Sequence, residues 1–199
     1  LAGYAGVGQR MLAHDPWEEG LEERVARLRD EGKLGKVLVA LPDAFTRWGG
    51  SQYLSSSAHG DYETYLAEEL PRAVEARWRV TQHGLVGKSS GGYGALIHGM
   101  RRPQRFRAVA CHSGDLGFRL AFTGELPVLM NALYEHGSLS AFLAAFEASG
   151  KKKDGRWFGP ISVLAMCAAY SPDPAQPGGV ALPFDLHTGE LDERVFARW

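Results

Sequence analysis

The chain has 199 residues, of which 45% are hydrophobic and 23% are charged, and its formal net charge is -1. This length fits one domain with its own hydrophobic core, and no apolar run approaches the roughly 18 residues that suggest a membrane helix. Because 22 basic and 23 acidic residues are mixed along the sequence, nothing favours nucleic acid or an anionic membrane, and we expect neither as a partner.

The beginning of the chain predicts a loop, a helix and a strand. The opening LAGYAGVG, residues 1–8, is rich in glycine and predicts a loop. An amphipathic helix is predicted to begin at Asp15, which suits an N-cap, because apolar residues follow it at helical spacing. KVLVAL at 36–41 is a short, continuously apolar run. Such a run is typical of a strand that is buried on both faces of a parallel sheet.

The middle of the chain predicts alternating strands and helices. In chain order, the predicted elements are an ordered loop at 43–60, a helix at 61–77 with a kink or restart at Pro71, a strand at 81–87, a helix at 91–100 and a strand at 107–111. Together with the strand at 36–41, this alternation is typical of right-handed crossovers in a doubly wound sheet. The predicted fold class is therefore α/β, with a mostly parallel doubly wound sheet.

Residues 117–170 are mostly helical by pattern, with three apolar-striped pieces, and we interpret them as a helical insertion over the strand ends. The lysines at 151–153 predict a solvated loop within it. Proline-rich residues 171–179 predict a connector, because too little chain follows to fold alone. The first residue is Leu1, and the final LDERVFARW looks like a helix without a C-cap glycine. We therefore expect residues 1–199 to be a single domain that is incomplete at both ends.

Gly87, Ser89 and Gly91 match the pattern GxSxG, in which a serine sits on a strained turn between a strand and a helix. Five residues alone are weak evidence in a glycine-rich chain. The context supports them, because the motif follows a predicted strand and opens a predicted helix on small residues, so Ser89 is the candidate nucleophile. A glycine-rich turn used only for packing is the plainer alternative. A phosphate-binding loop would need glycine where the chain has Gln82.

A serine that attacks a carbonyl group needs a base for its proton and hydrogen-bond donors for the developing oxyanion. One donor should be the backbone N–H of Ser90, directly after the nucleophile, and the second should come from a glycine-containing loop after an earlier strand. The opening loop fits that description. Gly3 allows close approach there, and the backbone N–H of Tyr4 is the candidate second donor, although a plain tight turn is the alternative.

Several segments resemble the putative esterase family of the α/β-hydrolases, which includes esterase D, S-formylglutathione hydrolase and enterochelin esterase-like proteins. In chain order they are VLVALPDAFTRWGGSQY, DYETYLAEELP, GKSSGGYGAL, RFRAVACHSGD and PFDLHTGEL. The resemblance implies an α/β-hydrolase fold with Ser89 on the nucleophile turn and with Ser90 and Tyr4 as oxyanion donors. It implies hydrolysis of a small-molecule ester or thioester through an acyl-enzyme, with no metal and no organic cofactor.

The family's remaining catalytic groups are an acid and then a histidine, on loops after two further strands. The sequence shows no such strands, so we expect both groups to lie beyond Trp199. The later histidines have structural interpretations. His98 lies on the predicted helix after the motif, and His136 lies at a predicted helix end. Asp185 and His187 belong to a segment that resembles the family but is not its triad.

Five side chains are candidates for contact with the substrate. They are Trp48, Gln52 and Tyr53 in the loop after the strand at 36–41, and His112 and Asp115 after the strand at 107–111. An aromatic loop packed on the edge of the sheet is an equal alternative for the first three. His112 and Asp115 could stand near the site, but a histidine there matches the family's HSG turn and not its base.

The predicted function is a serine carboxylic ester or thioester hydrolase. Two alternatives stay open: an acyltransferase in which an alcohol or sugar replaces water, and a non-catalytic binding domain on the same scaffold, which the missing base favours. Two cysteines are too few for a disulfide framework, which favours a cytoplasmic location. A signal peptide stays open, because we expect the natural N-terminus to lie before Leu1. The sequence does not determine the oligomeric state.

Overall fold

The computed structural model describes residues 1–150 and 154–199, which form an α/β structure with a small parallel sheet. The lysines at 151–153, predicted as a solvated loop, lie outside the described residues. The helices are α1 (Leu21–Asp30), α2 (Tyr62–Thr64), α3 (Leu70–Glu75), α4 (Ser90–Arg101), α5 (Phe118–Phe122), α6 (Leu126–His136), α7 (Leu139–Ala148), α8 (Gly155–Tyr170) and α9 (Glu193–Phe196). The strands are β1 (Ser55–Ser56), β2 (Gly60–Asp61), β3 (His83–Lys88) and β4 (Phe106–His112). None of the described helices is long and apolar enough to cross a membrane.

The parallel sheet consists of β3 and β4, which α4 connects, in agreement with the strand, helix and strand predicted for this part of the chain. The helix packs closely on one face, because a Cβ atom added to Gly99 of α4 would lie 2.3 Å from a methyl group of Val109. Elsewhere the sheet is open, and Val86 of β3 is 68% exposed. A second ladder pairs β1 with β2 over two residues, where the predicted loop at 43–60 meets the predicted helix at 61–77. The structure therefore has two parallel strands where the sequence predicted a larger doubly wound sheet.

The predicted strand at 36–41 does not join a ladder in the structure. Its apolar side chains are about half exposed, with values of 50% for Val37, 48% for Leu38 and 49% for Val39. A strand needs a neighbour to satisfy its backbone N–H and C=O groups, and no segment in the described ranges pairs with this one. The apolar run has the composition of a strand, but it forms none here because no described segment pairs with its backbone.

Helix α1 begins at Leu21 and not at Asp15, so the predicted start is wrong. The Asp15 carboxylate accepts the N–H of Trp17 at 2.8 Å, which closes a turn instead of capping a helix. The N-cap is Gly20, whose N–H donates to the carboxylate of Glu23 at 2.9 Å. Because α1 buries none of its residues, local hydrogen bonds and ion pairs hold it, and tertiary packing contributes little.

The predicted helix at 61–77 forms as α2, a π-helical turn over Tyr65–Glu69, and α3. Pro71 explains the interruption, since proline lacks an N–H and its ring crowds the carbonyl group four residues earlier, at Ala67. The chain keeps its helical course by widening the turn before the proline. The predicted kink therefore takes the form of a π-helical turn.

The main hydrophobic core lies among α6, α7 and α8. Each helix contributes a side chain with 0% exposure, namely Leu129, Phe142 and Val163. The described part of residues 117–170 holds four helices, because α5 forms in addition to the three apolar-striped pieces of the pattern. Most of the buried apolar surface of this structure is therefore helical and close together in sequence.

Leu129→Ala should lower the free energy of unfolding by about 2–5 kcal/mol, because it leaves a cavity in this core. Leu120→Ala is the matched control, since it removes the same atoms from a side chain that is 94% exposed. We expect the control to change the free energy of unfolding by less than about 0.5 kcal/mol. Urea unfolding followed by circular dichroism measures both. Equal losses in the two variants would contradict the position of the core.

Candidate active site

Ser89 occupies the turn between β3 and α4, where its backbone has φ 56° and ψ -128°. A positive φ is uncommon for a residue with a side chain and costs of order 1–3 kcal/mol. Two hydrogen bonds hold the turn. The Ser89 N–H donates to the carbonyl oxygen of His112 at 3.1 Å, and the Tyr93 N–H donates to the carbonyl oxygen of Ser89 at 3.0 Å. The end of β4 and the first turn of α4 therefore fix this strained conformation.

The two glycines of the motif are required by close backbone contacts. A Cβ atom on Gly87 would lie 1.9 Å from the carbonyl oxygen of Gly91. A Cβ atom on Gly91 would lie 2.3 Å from the carbonyl oxygen of Leu1. Gly92 is similarly tight, because its Cβ would lie 2.9 Å from the Cα atom of Gly114. Any larger residue at position 87 or 91 would displace the turn that carries the serine.

The N-terminal loop lies against Ser89. A Cβ atom on Gly3 would be 3.4 Å from the Ser89 Cβ and 3.9 Å from the Ser89 Oγ. The loop is anchored by the Tyr4 hydroxyl, which donates to the carbonyl oxygen of Trp48 at 2.8 Å. Burial raises the pKa of this tyrosine, so the hydroxyl remains a donor. The structure thus brings the glycine-rich opening and the serine turn together.

The candidate oxyanion donors are the backbone N–H groups of Tyr4 and Ser90. Within the described ranges, neither N–H donates to another group. Ser90 is the first residue of α4, and an N–H at that position has no partner inside the helix. A narrow pocket lined by Gly3, Tyr4, Gln52 and Ser90, among others, opens beside these groups. Two unpaired N–H groups next to the serine are available to an acceptor oxygen.

Asp115 follows β4, and its carboxylate contacts the serine directly. The Ser89 hydroxyl donates to Asp115 Oδ1 at 3.3 Å. Burial raises the pKa of the Asp115 carboxyl, and the hydrogen bond from Ser89 partly opposes that rise. The neighbouring candidate His112 contributes its backbone carbonyl to the turn, while the residue is exposed. Of these two predicted residues, the structure brings the side chain of Asp115 to Ser89.

The three candidate contacts in the loop at 43–60 are buried. Exposed fractions are 1% for Trp48, 4% for Gln52 and 5% for Tyr53. Trp48 packs in the main core, and the Tyr53 hydroxyl donates to the carbonyl oxygen of Ala2 at 2.8 Å. Both Gln52 and Tyr53 have positive φ, at 52° and 59°. Residues 43–60 therefore pack against the N-terminal loop and hold it by hydrogen bonds. Contact between these three side chains and a substrate stays a prediction.

The other histidines make structural contacts. His98 is 1% exposed in α4, its Nε2 lies 2.8 Å from the carbonyl oxygen of Tyr53, and burial lowers its pKa. His136 Nδ1 lies 2.8 Å from a carbonyl oxygen in the last turn of α6. The Asp185 carboxylate accepts the N–H of His187 at 2.8 Å, which closes a turn. No described histidine ring is hydrogen-bonded to the serine, and no described cluster of His, Cys, Asp or Glu could hold a metal ion.

Sequence reasoning missed the aromatic side chains near Asp115. The rings of Phe118 and Tyr170 contact each other with centroids 4.8 Å apart. Tyr93 contacts them at 5.5 Å and 5.7 Å. Burial raises the pKa of Tyr170, and the nearby charges of Tyr93 and Asp115 add to that rise. These rings lie on three separate helices. The spacing of apolar residues in the sequence predicts that each ring faces a core, but it does not predict that the three rings contact one another.

The model of the family described as Putative esterase matches residues 45–164 of the chain. The match covers more than half of the 199 residues and contains β3, Ser89, α4, β4 and Asp115. The comparison with curated proteins found no match. The serine turn and the carboxylate beside it therefore lie inside the matched region, and the N-terminal loop lies before it.

Gly91→Ala should lower the free energy of unfolding by about 1–3 kcal/mol or more, because the added methyl group overlaps backbone atoms of the N-terminal loop. Gly124→Ala is the control, since a Cβ atom there meets nothing within 4 Å. Urea unfolding measures both variants. If Gly91→Ala were as stable as the parent protein, the close contact between the serine turn and the N-terminal loop would be disproved.

Proposed function

The chain belongs to the putative esterase family, and from this premise we propose that it is a serine carboxylic ester or thioester hydrolase in which Ser89 is the nucleophile. Membership of the family supports ester hydrolysis in general and implies an α/β-hydrolase fold, in which the doubly wound sheet stays a prediction. The observation that carries the serine mechanism is the positive φ of Ser89 between β3 and α4. A strained turn of this kind presents a nucleophile at the strand ends.

In the proposed reaction, Ser89 Oγ attacks the acyl carbon while a base takes the hydroxyl proton, and one electron pair of the carbonyl bond moves to its oxygen. The N–H groups of Ser90 and Tyr4 donate to that oxyanion. When the carbonyl bond re-forms, the bond to the leaving oxygen or sulfur breaks, and the protonated base returns its proton to the leaving group. Water then attacks the acyl-enzyme in the same way and releases the carboxylic acid and the free serine.

The unpaired state of the two N–H groups supports their role. A donor that is fixed before the reaction and bonded to nothing else needs no reorganisation when charge develops on the carbonyl oxygen. The removal of a single donor from such a site costs about 100- to 1,000-fold in kcat. The close approach of Gly3 to Ser89 supports the assignment, because Tyr4 is the next residue in the same loop.

The proposed mechanism needs a base that takes the proton of Ser89. Among the described residues, no histidine ring is hydrogen-bonded to this serine. The side-chain partner of the serine hydroxyl is Asp115, at 3.3 Å. Our expectation that a catalytic acid and a histidine lie beyond Trp199 stays a prediction. Because a serine hydroxyl reacts slowly without a base, covalent labelling tests the nucleophile more directly than turnover does.

Ser89→Ala should abolish covalent labelling by a fluorophosphonate probe and lower ester hydrolysis by about 1,000-fold or more, because the attacking oxygen is removed. Ser57→Ala, in the exposed turn between β1 and β2, is the matched control and should label like the parent protein. Intact mass spectrometry measures the adduct, and release of p-nitrophenol from a short-chain ester measures turnover. The serine mechanism fails if the parent protein forms no adduct, or if Ser89→Ala labels as fast as Ser57→Ala.

A further inference from the structure

Within the described residues the Asp115 carboxylate has no cationic partner, and it lies next to the proposed nucleophile. It is half-buried, and the Ser89 hydroxyl is its hydrogen-bond partner in the described structure. No basic side chain of residues 1–150 or 154–199 acts on its ionisation, which only burial and the Ser89 hydrogen bond shift. A carboxylate that is partly removed from water and has no cation beside it is less favourable than one in water. Its position beside the serine suggests that a ligand supplies the missing positive charge.

The aromatic residue Tyr170 lies close to this carboxylate, and its ring belongs to a cluster of aromatic side chains. Tyr170 is near enough for the charge of Asp115 to act on its hydroxyl, and its ring contacts that of Phe118 at 4.8 Å. Phe118 also contacts Phe122, at 5.2 Å, and both phenylalanines are only partly buried. Ammonium groups bind where aromatic faces and a carboxylate occur together, because both attract positive charge. This surrounding favours a cation over a neutral donor.

A fixed negative charge here opposes the reaction of a neutral ester. Attack by Ser89 places a second negative charge on the carbonyl oxygen, near the Asp115 carboxylate, and repulsion between the two charges slows the reaction. An ammonium group of the substrate would cancel the repulsion by pairing with the carboxylate. A substrate hydroxyl would donate a hydrogen bond but would leave the charge in place.

We infer that Asp115 is a specificity-determining residue that binds an ammonium group of the substrate, two or three bonds away from the scissile ester. The inference rests on the proposed function, because it concerns the substrate of the same serine site. The substrate class is a cationic ester, with the charge either on an amino alcohol or on an amino acid.

Two pairs of esters of equal shape test the inference. On the alcohol side, a choline ester is compared with the 3,3-dimethylbutyl ester of the same acid. On the acyl side, a trimethylglycine ester is compared with the 3,3-dimethylbutanoate ester of the same alcohol. The ratio of kcat/KM for the charged ester to that for the neutral ester is measured in the parent protein and in Asp115→Asn. The quaternary nitrogen changes the intrinsic reactivity of the ester, so the ratio in one protein alone does not report binding. The test therefore compares the ratio in the parent protein with the ratio in Asp115→Asn.

For at least one pair, this ratio should be about tenfold or more lower in Asp115→Asn than in the parent protein. The substitution should lower kcat/KM for the charged ester and raise kcat/KM for the neutral ester. Asp30→Asn removes a carboxylate from the exposed end of α1 and should leave both ratios unchanged. Asp115→Glu keeps the charge and should keep the preference, which a purely structural role would not require. If neutral esters are hydrolysed and both ratios are the same in the parent protein and Asp115→Asn, the inference is wrong and the proposed function stands.

Binding gives a second readout that does not depend on turnover. Titration calorimetry with choline and with 3,3-dimethylbutan-1-ol should show that the parent protein prefers choline. The affinity for choline should fall about tenfold in Asp115→Asn but not in Asp30→Asn. If no ester is hydrolysed, the proposed function fails, while Asp115-dependent binding of choline still supports the cation site. Equal binding of choline and the neutral alcohol by the parent protein overturns the inference.

Discussion

Ser89 keeps a φ of 56° because three neighbouring segments hold its turn. The end of β4 accepts its N–H, the first turn of α4 bonds to its carbonyl group, and the N-terminal loop packs against Gly91. The strain of order 1–3 kcal/mol must be offset by these contacts, since an isolated chain would relax it. The same packing holds both proposed oxyanion donors, because Ser90 follows the serine and Tyr4 belongs to the N-terminal loop that packs against the turn.

The main hydrophobic core and the candidate active site lie in different parts of this molecule. The helices α6, α7 and α8 contain most of the buried apolar side chains of the described structure. Strands β3 and β4 are covered by α4 on one face and leave Val86 exposed. Asp115, Phe118 and Tyr170 lie where the two parts meet. Residues remote in sequence, Tyr170 of the helical core and Ser89 of the serine turn, therefore both lie near the Asp115 carboxylate.

The sequence predicted the features that depend on neighbours along the chain. The turn at Ser89, helix α4 and strands β3 and β4 follow one another directly, and the spacing of Gly87 and Gly91 carries the information needed for that turn. The features it missed depend on distant partners. Residues 36–41 have the composition of a strand but no partner within the described part of the chain. The start of α1 was missed for a local reason, because the Asp15 side chain bonds to Trp17 in a turn, and composition alone does not distinguish that turn from a cap.

The helical core has a consequence for how the protein loses activity. Most of its buried residues lie on the consecutive helices α6, α7 and α8, whereas the serine turn relies on a two-stranded parallel sheet and on the loop at residues 1–8. Proteins open locally where buried contacts are few, so the turn can come apart in a fluctuation that leaves α6 and α8 folded. Helix content measured by far-ultraviolet circular dichroism would then stay near its native value in a preparation in which the proposed nucleophile Ser89 is already misplaced. The chemical state of Ser89, and not the amount of helix, reports whether this site is intact.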